Sequence, residues 1–215
     1  MANKEHLDLV LQGLEAWNKF RRTQPDVRPD LSGADLSGYD FTRMDFTKTD
    51  FTGSDLSDTY MLQANLEEAN LTEANLTEAD IIDANLIKAV LTSAKLFMTD
   101  LSGTGMVRAN LEGADLSRAN MTRTALPWGI LRECKLIEAN LKMSDLREAD
   151  LTNADLSQAN LQDASLTGTI FRGTNLQTTR NISLELLGKA KTLRSAQLNQ
   201  IAQETIETNF PHLLK

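Results

Sequence analysis

Of its 215 residues the chain spends only one on cysteine, two on histidine and four on proline, and 5% on aromatic side chains. A single cysteine, Cys134, excludes an intrachain disulfide and implies no oxidising compartment. His6 and His212 stand near the two ends, so no histidine lies in the long middle to act as a base beside a nucleophile, and no Cys/His spacing suits zinc. No glycine-rich loop of the phosphate-binding kind is present. Apolar runs never approach the roughly 18 residues of a membrane span, and Lys4, Glu5, His6 and Asp8 interrupt any leader-like segment. The expectation is a non-enzymatic protein without cofactor, metal or membrane contact, with the cytoplasm as its default location.

What fills the chain instead is a repeat. From Leu31 to Leu176 every fifth residue is Leu, Phe, Met or Ile, 30 positions with no slip of phase. Two residues before each of these centres stands a small residue at 27 of the 30 places, the exceptions being Pro29, Tyr39 and Met44. The residue before the centre is Asp or Asn at 21 places. A helix needs apolar spacing near 3.6 and a half-buried strand needs 2, so a strict five requires something that resets the backbone in each unit. Centre and small residue share one side of an extended backbone and point inward together. The residue two after the centre would follow them inward if the strand continued, yet that place holds Glu68, Glu73, Glu78, Lys88, Arg108 and Arg118. Charges are almost never left unpaired in a core, so the chain turns there. Short sides joined by bends, stacked by backbone hydrogen bonds, make a solenoid.

The units ADLSG at 34–38, ANLTE at 74–78 and ADLSQ at 154–158 resemble the pentapeptide-repeat proteins. That resemblance implies an all-β solenoid, a right-handed quadrilateral β-helix with about 20 residues per coil. Thirty units then give about 7 to 8 coils and, at roughly 4.8 Å per rung, a rod on the order of 36 Å long. Residues 1–30 are expected to form an N-terminal helical cap and linker, 31–176 the β-helix, and 177–215 a C-terminal helical cap with two further pentapeptide-like units near 191–200.

Residues 3–22 carry Leu7, Val10, Leu11, Leu14 and Trp17 at helical spacing after Asn3, a good N-cap, and are expected to form one amphipathic helix laid across the first coil. Phe41, Phe46 and Phe51, with Tyr39 and Met44, would fill space beneath it. After Leu176 the register breaks at Asn181; Ser183 caps a short helix to about Ala190, Leu193 and Leu198 rejoin the five-residue spacing, and a further helix runs from about Asn199 to Thr208. This tail closes the other end or pairs two subunits, leaving a monomer or a homodimer through a terminal cap. The Asn-X-Ser/Thr sequons at Asn70, Asn75, Asn120 and Asn181 are by-products of the repeat.

Net charge is −8, and residues 31–176 hold 22 acids against 12 bases. Direct binding to nucleic acid or an anionic membrane is therefore disfavoured. Asp and Asn before each centre bond readily to nearby backbone in bends, which is their structural role. Stacked carboxylates such as Asp35 over Asp55 or Asp80 over Asp100 lie on a flat side, not in a cage of six to eight oxygens.

Two functional readings follow. One is a rigid acidic scaffold that binds a protein partner. With 20 residues per coil Ile87, Val107 and Pro127 stack, Val90 and Ile130 lie around the same corner beside Trp128, and the cluster is either a contact strip or a local repacking under a terminal helix. Phe97, Met98 and Ile137 form a weaker set. The other reading comes from the resemblance: some pentapeptide-repeat proteins imitate duplex DNA and protect or inhibit type II topoisomerases such as DNA gyrase. The belt Asp30, Asp35, Asp40, Asp45, Asp50 and Asp55 would then occupy a basic DNA groove.

Overall fold

In the computed structural model, which describes residues 2–215, Asp30 pairs in parallel with Asp50, Asp35 with Asp55, Asp40 with Tyr60 and Asp45 with Asn65, and the same step of 20 recurs up to the pair Asn160 with Arg180. Each five-residue unit contributes one bridging residue, the one before its centre, so pairing is a series of isolated parallel bridges rather than multi-residue strands. Four units separate paired residues, and the columns they form are named here by their first centres: the Leu31, Phe41 and Phe46 sides, and between the first two the Leu36 side.

Within a unit the amides have fixed partners. The centre amide donates to the next coil (Leu71 N to Val90 O, 2.6 Å), the residue before the centre donates back (Val90 N to Ala69 O, 2.9 Å), and the small residue closes the bend (Ala74 N to Leu71 O, 3.1 Å). All 30 centres are buried, as are the small residues apart from Tyr39 and the part-exposed Thr179. Buried hydroxyls in the small register donate to a centre carbonyl, one coil back for Thr99 (to Leu76 O) and Thr124 (to Leu101 O) and at their own bend for Ser54, Thr59 and Ser144, while Thr49 Oγ1 is left without a partner among the described residues; Cys134 stands like Thr99, against Leu111 O. That is how a core of leucines tolerates threonines.

The bend has a specific backbone. At 29 of the 30 places two after a centre φ is positive, 22 of them at residues other than glycine, with φ from 54° to 60°. With the i to i+3 hydrogen bond this is the sign pattern of a type II turn. L-residues enter this left-handed region at some cost, and β-branched ones do so worst. The one place lacking positive φ is Thr178, the only β-branched residue among the 30.

The N-terminal segment is two helices rather than one. α1 spans Lys4–Val10, with Asn3 Oδ1 accepting from the amides of Glu5 and His6, and α2 spans Leu14–Thr23. Apolar spacing runs straight through the junction, but Gly13 adopts φ 90° and breaks it. The two helices supply what the first coil lacks below it. Asn3 N donates to Asp30 O at 3.0 Å, Trp17 Nε1 to Asp45 O at 2.7 Å and Arg21 Nη2 to Thr47 O at 2.8 Å, while Asn18 Oδ1 accepts from Asp45 N at 2.9 Å. Trp17 is buried against Phe20 and Phe46, and Phe41, Phe46 and Phe51 continue the aromatic stack. Burial of Arg21 pulls its pKa down, partly offset by the charge of Asp45. Tyr39 departs from expectation: it is 45% exposed and lies parallel to Phe41 with ring centroids 5.9 Å apart.

At the other end α3 spans Leu184–Leu187 with Ser183 as N-cap, shorter than the helix to Ala190 that the sequence suggested. Pairing resumes with Ile170 to Thr192 and Asn175 to Gln197, a step of 22 that marks a two-residue insertion. α4 spans Gln200–Asn209, capped by Asn199, and a 3-10 turn at Pro211–Leu214 follows; Leu213 O accepts from Leu193 N at 2.7 Å.

Candidate functional surfaces

Trp128 occupies a bend at φ 57° and is 55% exposed, so no terminal helix covers it. Its ring faces the Arg108 guanidinium of the preceding coil, 5.8 Å from the centroid. Ile87 and Val107 are half-buried in one column and Pro127, next in that column, is buried. Gly129 sits in the small register, where an added Cβ would lie 2.7 Å from Leu126 Cγ, so the Pro127–Gly129 bend is tightly packed from inside while Trp128 points out. Ile87, Val107 and Pro127 follow one another at steps of 20, Val107 O accepting from Lys88 N and Pro127 O from Arg108 N. The neighbouring pair is not continuous: the bridges run Val90, Asn110, Ile130, so Asn110 separates the two apolar residues and Val90 stands two coils from Trp128.

The acidic belt winds around the rod instead of lining one side. Asp30 stands over Asp50 and Asp35 over Asp55, with Asp40 and Asp45 on the remaining two sides. Every one of these carboxylates is engaged at its own bend: Asp45 Oδ1 accepts from Thr47 N at 3.0 Å, Asp50 from Thr52 N at 2.9 Å and Asp55 from Ser57 N at 3.0 Å, and Asp30, Asp35 and Asp40 accept likewise from Ser32, Ser37 and Thr42. Hydrogen bonds from Ser32, Thr42 and Ser57 hold Asp30, Asp40 and Asp55 below the usual carboxylate range. Asn takes over this role where Asp is absent, as Asn70 Oδ1 accepts from Thr72 N at 3.2 Å.

Overall acidity is unevenly distributed along the axis. Residues 31–100 carry 13 acids and 4 bases, residues 101–176 carry 9 and 8. The sequence also held a signal not picked out by the columns considered first. Leu62 and Ile82, 20 residues apart, occupy normally polar outward positions on the Phe41 side, and Tyr60 stands beside them 54% exposed. The same 20-residue comparison that singles out Ile87 and Val107 finds them.

Cys134 and His6 are both engaged within the fold. Burial pushes the Cys134 thiol up to about 12. His6 Nδ1 accepts from Asp30 N at 2.9 Å. Among the described residues no group of three or more His, Cys, Asp or Glu side chains is placed to hold a metal ion, and no helix is long and apolar enough to cross a membrane.

A family model for pentapeptide repeats matches eight copies over residues 30–61, 61–96, 94–128, 130–153 and 144–180. The chain belongs to the pentapeptide-repeat family. Comparison with curated proteins finds no match. Among solved structures it is similar to full-length QnrB1, a plasmid-mediated fluoroquinolone resistance protein, at 16% identity over 83% of this chain and 95% of that one, with a TM-score of 0.55. It is also similar to HetL of the cyanobacterium Nostoc, a pentapeptide-repeat protein involved in heterocyst differentiation regulation, at 25% identity over 92% and 94% of the two chains with a TM-score of 0.32. A pentapeptide-repeat protein of the Arabidopsis thaliana thylakoid lumen matches at 28% identity over 62% of this chain and 69% of that one, TM-score 0.33. The QnrB1 likeness bears on fold alone.

Proposed function

We propose that this pentapeptide-repeat scaffold is a non-enzymatic rod, a right-handed four-sided β-helix of about 7 to 8 coils, that binds a partner protein in the cytoplasm. α1 and α2 close one end, and α3 and α4 close the other, so residues 1–30 and 177–215 serve as caps on a central repeat. The observation that carries the binding reading is Trp128, more than half exposed on a rigid bend next to Val107 and Ile87. Large aromatic side chains presented on a fixed backbone lose little entropy on docking, and such residues dominate interface energetics.

The test is affinity capture with the wild-type chain, identification of what is bound, and repetition of the measurement with the purified partner. Trp128→Asp with Val107→Asp should keep the fold, because Asp58 already occupies the same left-handed position at φ 57° and the residue after a centre is usually polar. Binding to the identified partner should fall at least tenfold. Undiminished binding would remove the corner from the proposal.

A second reading, inhibition or protection of a type II topoisomerase by DNA mimicry, is favoured by the axial charge distribution. Averaged over the whole rod the net charge is about half that of duplex DNA, which carries roughly one charge per 1.7 Å. Residues 31–100 alone make 3.5 coils, about 17 Å, and hold 13 acids against 4 bases, close to the roughly ten charges of that length of DNA. A supercoiling assay with purified gyrase tests it: absence of inhibition, of protection from quinolones and of salt-sensitive binding would exclude mimicry.

A further inference from the structure

The Phe41 side of the first four coils combines two features, an apolar surface and a surround of carboxylates. Tyr60, 54% exposed, Leu62, 37% exposed, and half-buried Ile82 form a contiguous apolar surface, since Leu62 and Ile82 are one coil apart, about 4.8 Å, and Tyr60 is two residues before Leu62. Exposed Met98 stands at the neighbouring corner, with Asp80 and Asp100 between it and these residues. Around these stand Asp40 and Asp80, which bridge Tyr60 from below and above, and Asp58, Glu78, Asp83 and Asp100. None of these six carboxylates belongs to an ion pair among the described residues. Of the bases nearby, Arg43 is turned to Gln63 with Nε 3.3 Å from Oε1, and Arg123 and Lys142 share a cavity with Asp83 without forming an ion pair to it among the described residues.

We propose that this side is a docking surface for a polypeptide segment in which Lys or Arg residues are interspersed with aliphatic ones. Charge complementarity selects the cations. The apolar residues select against a purely cationic partner, because covering Tyr60, Leu62 and Ile82 with hydrated lysine heads gives no return for the apolar area that could be removed from water. Exposed ion pairs contribute little each, so the apolar residues set the affinity and the carboxylates set the salt dependence. The surface shares only the notion of protein binding with the Trp128 corner and lies on a different side, so either can fail alone.

The probe is a fluorescently labelled 18-residue peptide of alternating Lys and Leu blocks, compared by anisotropy with an oligolysine of equal charge. The expected result is tighter binding of the Lys/Leu peptide, weakened at least tenfold by Leu62→Ser with Ile82→Ser, while oligolysine binding is unchanged by that pair. Asp80→Asn with Asp83→Asn should weaken both probes and flatten their salt dependence, and Trp128→Asp should alter neither. Ser37, Ser102, Thr72 and Thr122 occupy the same register as Leu62 and Ile82, so the serine pair leaves the fold intact, to be verified by an unchanged melting temperature; Tyr60→Asn, with the side chain the repeat uses at that place, is the independent check. Equal affinity for the two probes, or indifference of the Lys/Leu peptide to both the serine pair and Tyr60→Asn, overturns the proposal.

Discussion

The indole Nε1 of Trp17 donates to the carbonyl of Asp45 at 2.7 Å, in the place where an amide from a preceding coil would stand. In the interior of the rod the residue before each centre gives its carbonyl to an amide 19 residues earlier, as Asn65 O does to Phe46 N, but the first coil has nothing beneath it. Trp17→Phe should keep the ring contacts with Phe20 and Phe46 and leave that carbonyl without its donor, a loss of about 1–3 kcal/mol. Trp17→Ala should lose about 3–5 kcal/mol. Urea denaturation followed by circular dichroism measures both, and an unchanged stability of Trp17→Phe would show that the hydrogen bond contributes nothing.

Leu116 and Arg118 are two residues apart and face opposite ways. Leu116 is fully buried, whereas Arg118 projects from its bend and pairs with Glu138, Nε to Oε2 at 3.0 Å. Leu116→Arg should prevent soluble folding because it leaves a charge among stacked leucines. Arg118→Leu removes one exposed ion pair, a change of about 0–1 kcal/mol. Expression and thermal melting of the two variants provide the comparison; similar behaviour would contradict the inward and outward assignment.

That assignment was legible because inward positions exclude charge at every coil, a constraint repeated thirty times between Leu31 and Leu176. The ends were less legible. Apolar spacing from Val10 to Trp17 continues through Gly13, and only the backbone angle shows the break. Tyr39 belongs to the inward register, but without a coil below it the ring swings out along Phe41. The belt from Asp30 to Asp55 is contiguous in sequence and therefore wraps the rod, while surfaces that could face one partner are contiguous at steps of 20. Leu62 with Ile82 is such a pair.

The left-handed bends give a prediction that depends on backbone alone. Glu73 sits at φ 57° with its side chain exposed. Glu73→Val should destabilise the protein by about 1–2 kcal/mol, since a β-branched residue crowds its own backbone there, whereas Glu73→Gly should be neutral or slightly stabilising. Thr178, the one β-branched residue at this register and the one without positive φ, is the natural counterpart. A cost for Glu73→Gly equal to that for Glu73→Val would locate the effect in the lost side chain instead.

Acid should weaken the fold through the corner aspartates. Bonds from Ser32, Thr42 and Ser57 lower the pKa of Asp30, Asp40 and Asp55 in the folded chain. A group with a depressed folded pKa contributes stability that is fully present above its unfolded value, about 3.9, and is lost as pH falls through the folded value. Stability should therefore decline below about pH 4 to 5. Replacing all three by Asn preserves an acceptor for the bend, as Asn70 does for Thr72, and should flatten that decline. Melting temperatures between pH 2.5 and 7 decide it, and an unchanged slope would assign acid sensitivity to other carboxylates.

Cys134 reports on the opening of the solenoid. Its thiol lies in the small inward register, Sγ 2.9 Å from Leu111 O, and burial raises its pKa to about 12. The thiolate is the reactive species, and a free cysteine with a pKa of about 8.5 would be roughly a quarter ionised at pH 8. With the folded value the ionised fraction is about a thousandfold smaller even before access is considered. Labelling by an alkylating reagent at pH 8 should therefore be negligible in the folded protein and rapid in denaturant. Its rate at intermediate denaturant should track local separation of the coils around Leu111 and Leu131. Leu116→Ala, two residues from Ala114 whose carbonyl holds Lys135 N, creates a cavity beside this segment and should raise the labelling rate at least tenfold. Fast alkylation of the untreated wild-type chain would place the thiol outside the core and reverse the inward register at that coil.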